Sequence, residues 1–371
     1  MKQNPAARAI AMLCLLLMPF LLIAQDTSFN LNRLSQVYRL RETQASPLLR
    51  QTLAQQRKLI AEKKLGFEVG NTSVSELQLS SITGAMTVNM EEAARVTGLL
   101  QTRKLSPETL EIIRQFKLLP CAAGYKTYDA RNQHLVPAIR FQHCGNCWAY
   151  SAVGALESSN IKVNSISNPV TVDLSEKQVV ACSGAGSCSG GWPYKVFEYL
   201  KTSGARVMAD SYAPDNGTDQ PCPVTPASAN VQVLDWGLAD ASAGLHKIAS
   251  VNEIKQAICT YGAVSVCLMA TPLFQNFAGN GVFYEQPSNY SNPSINHAVV
   301  LIGWDDNKQA WLLRNSWGTN WGDQGYCWIR YNSNNIGYGA IWVVAKKRLR
   351  IIKEFNQKDL SKKAVLTTQT R

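Results

Sequence analysis

Gln142-His143-Cys144-Gly145-Asn146-Cys147-Trp148-Ala149-Tyr150-Ser151 is a two-cysteine turn that runs directly into an apolar-periodic stretch, Ala149, Ala152, Val153 and Leu156. The pattern predicts a helix with Cys147 in its first turn. A thiol there faces unpaired backbone N–H groups and the positive end of the helix dipole, both of which favour thiolate over thiol. Cys147 is therefore the candidate nucleophile. A C-x-x-C pair is also compatible with a redox couple, with half of a zinc site, or with one catalytic thiol beside one structural thiol. Residues further along the chain separate these alternatives.

Outward from that turn, both ends of the 371-residue chain read as appendages. Lys2 and Arg8 precede an apolar run from Ala9 to Leu22, which closes Leu22-Ile23-Ala24 before Gln25. This is the layout of a secretory signal peptide cleaved after Ala24, and it predicts a secreted or periplasmic protein. The run is broken by Pro19 and is short for a membrane span. Leu13 stands where a lipid-attachment site at Cys14 would want a small residue, and no second spanning segment follows. Nine of the ten cysteines lie beyond the signal, in a compartment where disulfides persist, and an odd number leaves at least one thiol free.

A net charge of +11 would suit a nucleic-acid partner if it formed one face. It does not. Residues 346–371 hold nine Lys and Arg against two Asp and Glu, whereas residues 122–345 hold thirteen against fifteen. The basicity belongs to the appendages, and no nucleic-acid binding is expected.

Residues 26–120 are rich in Leu, Gln, Arg and Glu, with helical periodicity in Leu31–Leu40, Leu48–Ile60, Met90–Leu100 and Pro107–Phe116 and one extended piece over Phe67–Leu77. From Tyr125 the composition turns to Gly, Trp, Tyr, Ser and Cys. Ser175 to Gln178 and Ser250 to Glu253 have capping-box spacing, and Gly204 and Gly262 stand where helices should stop. Strands are predicted at Ala263–Met269, His297–Trp304, Ala310–Asn315, Tyr326–Tyr331 and Ala340–Val344. A helical half followed by a β half predicts an α+β protein of two lobes with a cleft between them, the usual place for a substrate.

Four histidines exist, His134, His143, His246 and His297. His297 opens the strand His297-Ala298-Val299-Val300-Leu301-Ile302-Gly303-Trp304, and Asn315-Ser316-Trp317-Gly318 ends the next one. A hairpin would bring the two together, so that Asn315 orients the imidazole and Trp317 shields their hydrogen bond.

With these residues in place, residues 125–345 resemble the papain-like cysteine peptidases. The likeness rests on Cys-Gly-Asn-Cys-Trp-Ala, Leu174-Ser175-Glu176, Ser-Gly-Gly-Trp-Pro, Asn296-His297-Ala298 and Arg314-Asn315-Ser316-Trp317-Gly318 with Trp321-Gly322, all in one colinear order. His297 and Asn315 lie at or just beyond the spacing of about 130–150 residues that marks the family. The resemblance implies a helical left lobe and a β-barrel-like right lobe. It also implies an endopeptidase in which Cys147 and His297 form a thiolate–imidazolium pair oriented by Asn315. The Cys147 backbone N–H and the Gln142 amide would hold the oxyanion.

One departure stands out: Gln142 is two residues before Cys144, where the family's glutamine is three before, and Phe141 fills the matching place. Arg140-Phe141-Gln142 resembles the family's basic-x-Gln, so a loop one residue shorter is the reading adopted. By the same resemblance Cys144 pairs with Cys188 and Cys182 with Cys222, while Cys121, Cys259, Cys267 and Cys327 default to buried free thiols. Gly190 and Gly191 would offer backbone to an extended substrate. Trp192, Pro193, Cys267, Ala298 and Val344 would line an apolar pocket for the residue two before the scissile bond.

Gly70, Thr72, Val74 and Glu76 fall at the spacing of the family's G-x-N-x-F-x-D propeptide element. The chain then divides into a signal peptide (1–24), an inhibitory propeptide (25–121), a peptidase domain (122–345) and a basic tail (346–371). A monomer acting on peptide and protein substrates is expected, with no cofactor and no metal. The main alternative is a silent relative that binds peptides without cutting them. A redox or zinc module is the other, weakened by the lack of a second C-x-x-C nearby.

Overall fold

The computed structural model describes residues 34–117, 121, 123–229 and 231–347; the expected signal peptide and the tail beyond 347 lie outside them. A helix, Cys147–Val163, forms the middle of the molecule, and every one of its residues is buried. Its composition explains this: Ala149, Ala152, Gly154 and Ala155 let neighbours approach on several sides, which a one-faced amphipathic helix would not allow. At Gly154 a Cβ would come within 2.6 Å of the Arg314 guanidinium, the partner of buried Glu157 at 4.0 Å.

The strands are β1 (Phe67–Val69), β2 (Thr127–Asp129), β3 (Gly186–Ser187), β4 (Gly190–Gly191), β5 (Val233–Leu238), β6 (Val264–Leu268), β7 (Phe277–Gly281), β8 (His297–Asp305), β9 (Ala310–Arg314), β10 (Tyr326–Arg330) and β11 (Tyr338–Ala345). Seven form one sheet in the order β10-β9-β8-β6-β11-β5, with β2 also on β8. The order ends on β10 and β5, so the barrel-like lobe is an open, antiparallel sheet and not a closed barrel.

Side chains alternate along β11 between two cores. Ile341, Val343 and Ala345 join Trp148, Leu156, Phe197 and Trp236 on the helical side. Ala340, Trp342 and Val344 join Leu268, Phe274, Leu313 and Trp321 on the sheet side. The mixed α+β class and the two-lobed arrangement follow from this one strand serving both.

Each predicted capping box forms in half: the Ser175 and Ser250 hydroxyls accept from the Gln178 and Glu253 N–H groups at 3.0 and 3.3 Å, but the Ser175 N–H donates to the Met208 carbonyl and the Ser250 N–H to Asp240, so the reciprocal side-chain bond is absent from both. Gly204 and Gly262 end their helices at φ +64° and +100°, a region that favours glycine.

The N-terminal helices divide between the lobes. Leu49, Leu53 and Ile60 of helix Pro47–Glu62 enter the sheet-side core. Ala93 and Val96 of helix Met90–Thr102 enter the helical-side core. Strand β1 pairs antiparallel with β7, Gly70 N–H donates to the Asn276 carbonyl (2.9 Å), and the Thr72 hydroxyl donates to the Gln275 carbonyl (3.0 Å). Residues 82–88 therefore cross between the lobes, tied down at both ends.

Among the described residues three disulfides are present, Cys121–Cys259, Cys144–Cys188 and Cys182–Cys222, leaving Cys147, Cys267 and Cys327 as thiols. The first corrects the expectation that Cys121 and Cys259 are free. Helix Pro107–Lys117 packs on helix Val251–Tyr261, which carries Cys259 and brings Cys121 to a Cα–Cα distance of 5.3 Å. Among the described residues no helix is long and apolar enough to cross a membrane, and no cluster of His, Cys, Asp and Glu could hold a metal ion.

Candidate active site

Cys147 is the first residue of its helix and is fully buried. The Cys144–Cys188 bond ties the preceding loop to the β3–β4 turn, and Gly145 N–H donates to the Cys188 carbonyl at 3.0 Å. His297, the first residue of β8, reaches the same place because β6 and β8 pair in register, Cys267 opposite Ala298 and Leu268 opposite His297. Cys147, Cys267 and Ala298 pack together.

The β8–β9 pairing carries Asn315 to the histidine: His297 Nε2 lies 2.8 Å from Asn315 Oδ1. That oxygen also accepts from the Ser316 N–H at 2.9 Å, so it is the acceptor and Nε2 carries the proton. Nδ1 keeps its lone pair and has no hydrogen-bond partner. The Trp317 indole stacks over the imidazole, ring centres 4.5 Å apart and planes 27° apart, covering the bond.

Gln142 is fully buried and points inward. Its N–H donates to the Ser316 carbonyl (2.8 Å), and its Oε1 accepts from the Ser316 hydroxyl (2.6 Å). The side-chain amide donates to the Cys144 carbonyl at 2.7 Å and to the Ile82 carbonyl at 3.1 Å. Trp317 Nε1 donates to the same Ile82 oxygen at 3.1 Å. Phe141 turns elsewhere, onto Gly318 and the His143 ring.

The cleft is occupied by the chain itself. Gly191 N–H donates to the Gly84 carbonyl (2.8 Å), Met86 N–H donates to the Gly191 carbonyl (3.0 Å), and Ala85 bridges Gly191 in parallel. At Gly190, φ +130°, a Cβ would lie 2.9 Å from the Gly84 carbonyl oxygen, so glycine there permits this approach, while glycine at 191 leaves room for the Trp148 ring behind it. Ala85 N–H donates to the Asn296 carbonyl at 2.9 Å, and Trp192 Nε1 donates to the Thr87 carbonyl at 3.1 Å.

This cover sets the electrostatics. Burial pushes the Cys147 thiol up to about 11, opposed by backbone hydrogen bonds from Ala298, Gly84, Ala85 and Trp148. Burial also lowers His297 to about 4, with the Asn315 bond working the other way. In the covered state the pair is thus thiol and neutral imidazole.

Of the residues expected to line the apolar pocket, Cys267 and Ala298 pack beside Cys147, and Trp192 contacts the covering strand. Pro193 is buried at the start of helix Pro193–Ser203. Val344 departs from expectation: it lies on the β11 face turned to the sheet-side core, in a different cluster from Cys147. Ile248, Ile295 and Tyr338 take its place around Ala85, and Val88 N–H donates to the Tyr338 hydroxyl at 3.4 Å. No sequence motif marked those three.

A family model described as papain family cysteine protease matches residues 125–344. A cathepsin L-like peptidase of Aedes aegypti is 34% identical over 216 residues, 56% of this chain and 60% of that protein. A cathepsin L of Sarcophaga peregrina is 29% identical over 295 residues, 77% of this chain and 80% of that one. Among solved structures, digestive procathepsin L2 proteinase from the larval midgut of Tenebrio molitor matches with a TM-score of 0.63 at 22% identity, covering 84% of this chain and 93% of that one. That last likeness concerns the fold.

Proposed function

Because the chain belongs to the papain family of cysteine proteases, we propose that it is an endopeptidase made as a zymogen, with Cys147 as nucleophile and His297 as its acid–base partner. The observation that carries this is the His297 ring held by Asn315 through Nε2 at 2.8 Å, its Nδ1 unpartnered, with Cys147 packed against the adjoining Ala298. Once uncovered, Nδ1 takes the thiol proton, and thiolate and imidazolium favour each other's charge. The sulfur attacks the peptide carbonyl, forming the S–C bond, and the oxyanion is held by the Cys147 N–H and the Gln142 amide. The imidazolium protonates the leaving amine as the C–N bond breaks; water, deprotonated by the same ring, then hydrolyses the acyl-enzyme. Asn315 orients the ring without the charge that an aspartate would bring.

Gln142 suits the oxyanion role because its amide already donates to a carbonyl, that of Ile82, inside the cleft. Residues 25–121 serve as the inhibitory propeptide, with 82–88 using the backbone groups of Gly191 that a substrate needs. Residues 122–345 are the peptidase, 1–24 direct export to a secreted or periplasmic location, and 346–371 form a basic tail. The apolar surroundings of Ala85, with Cys267, Ala298, Ile248, Ile295 and Tyr338, favour substrates with an apolar residue two before the scissile bond.

Fluorogenic peptides differing only at that position test both statements. The cleaved chain should hydrolyse those with Leu, Val or Phe faster than one with Arg, and Cys147→Ala should abolish hydrolysis. Undiminished turnover by the Cys147→Ala protein would refute the mechanism.

A further inference from the structure

Resting on the assignment of Cys147 as nucleophile, we propose that Asp215 is a positioning residue of the catalytic loop. It holds the Asn146 side chain away from the first turn of the helix and so leaves that turn's backbone N–H groups to the sulfur and the oxyanion. Asn146 is the N-cap of helix Cys147–Val163, at φ −101° and ψ 24°, yet its side chain makes no capping bond. Asparagine is among the strongest N-caps, its oxygen accepting from the second or third helical N–H. Its failure to cap here needs a cause.

The cause is a carboxylate on another loop. Asn146 Nδ2 donates to Asp215 Oδ2 at 3.1 Å. The same oxygen lies 2.9 Å from the Tyr150 hydroxyl and accepts from the His143 N–H at 3.4 Å. Asn146 is fully buried and its Oδ1 has no partner, so its amide is held by the nitrogen end alone. One carboxylate oxygen thus gathers the loop that carries Gln142 at one end and Cys147 at the other.

Asp215 is itself fixed. Its Oδ1 accepts from the Gly217 N–H at 3.1 Å, Lys177 donates to the Asn216 side chain at 2.6 Å, and the Cys182–Cys222 bond closes the segment. Asp219 accepts from the Cys188 N–H at 2.8 Å, next to the bridge to Cys144. Gly217, at φ +72°, lies against His143, where a Cβ would stand 2.9 Å from the carbonyl oxygen.

Without Asp215 the Asn146 amide is free to turn its oxygen onto the Trp148 N–H, the ordinary cap. That N–H follows Cys147 in the first turn and is among the backbone groups that favour the thiolate at Cys147. Removing the Asn146 side chain as well takes away the competitor. A loop merely propped up by Asp215 would instead lose more with each deletion.

The test measures kcat and KM of the cleaved full-length chain on a fluorogenic peptide, and the pH midpoint of Cys147 alkylation. The proteins are the parent, Asp215→Ala, Asn146→Ala and the double variant. Asp215→Ala should lower kcat about 10-fold, less than outright loss of an oxyanion donor, with KM within about twofold. Its alkylation midpoint should rise by about one pH unit, the size of one lost hydrogen bond to the thiolate. Adding Asn146→Ala should recover most of both changes. An Asp215→Ala enzyme that matches the parent, or a double variant no faster than Asp215→Ala, overturns the proposal. Should Asp215→Ala not fold, Asp215→Asn, of the same shape but with one acceptor oxygen, carries the same comparison. If the parent fails to hydrolyse peptides, or Cys147→Ala still does, the peptidase assignment falls and takes this inference with it. An active parent with an unresponsive Asp215 series removes the inference alone.

Discussion

Cys147, His297 and Asn315 were each legible because short motifs fix their neighbours: a helix start, a strand start and a strand end. Asp215 was not. It stands in Pro214-Asp215-Asn216-Gly217, which reads as a turn, and its bond to Gly217 N–H is what a turn aspartate ordinarily makes. Only its second oxygen is unusual, and that contact comes from a distant loop. Gln142 stood one place out of register, and the pairing of residues 141–142 with 316–317 shows why it can still reach the cleft. Gln142→Ala should lower kcat of the cleaved chain about 10²–10³-fold, the loss typical of an oxyanion donor; an unchanged rate in a peptidase assay would reject that role.

The covered pair also has a signed pH dependence. His297 sits at about 4 against its ordinary 6.5, so folding favours the neutral ring. The penalty is absent above pH 6.5, grows as pH falls, and is complete below about 4, reaching about 3 kcal/mol at most. The uncleaved Cys147→Ala chain should therefore lose melting temperature across that window, and His297→Phe should flatten part of the loss. Identical slopes in the two would contradict it. Thiol with imidazole and thiolate with imidazolium hold the same number of protons, so uncovering itself takes up none.

Among the elements, the central helix and the β8–β9 hairpin were predictable from periodicity and caps, but β5 and β7 were not. Strand β5, Val233–Leu238, is buried along its whole length and shows no alternation to read. Strand β7, Phe-Ala-Gly-Asn-Gly, is poor strand sequence, and it pairs with β1 from the N-terminal part, a long-range partner no local pattern reveals. Phe67–Leu77 was expected to be extended throughout, whereas only Phe67–Val69 is strand. Beyond it Thr72 and Val74 serve as anchors, Val74 fully buried.

The segment across the cleft depends on one missing Cβ: at Gly84 it would overlap the Gly145 carbonyl oxygen. Overpacking of this kind costs about 1–3 kcal/mol. In the uncleaved chain Gly84→Ala should raise the rate of Cys147 alkylation at neutral pH by about 10- to 100-fold, as the same free energy expressed in exposed population. An unaltered rate would show that the segment closes the cleft by other contacts.

At the scale of the whole molecule, the N-terminal part is an additional layer shared between the two cores. Helix Pro47–Glu62 is seated on the sheet side and helix Met90–Thr102 on the helical side, with Arg95 paired to Glu198 at 2.9 Å. The Cys121–Cys259 bond adds a covalent join where the sequence had suggested two free thiols. Disulfide partners depend on how distant helices pack, which is why spacing alone did not reveal this one. A cut between Cys121 and Thr127 should leave the two pieces together on a non-reducing gel and separate them on reduction. Separation without reductant would disprove the bridge.

The most direct measurement of the central claim is mass mapping of a thiol-directed epoxide inhibitor on the cleaved and uncleaved chains. The account predicts one adduct, on Cys147, in the cleaved form once residues 82–88 have left the cleft, even with their piece still tethered through Cys121–Cys259, none on Cys267 or Cys327, and none in the uncleaved form, where residues 82–88 bury the sulfur. An adduct on another cysteine, or full labelling of Cys147 with the cover in place, would contradict it.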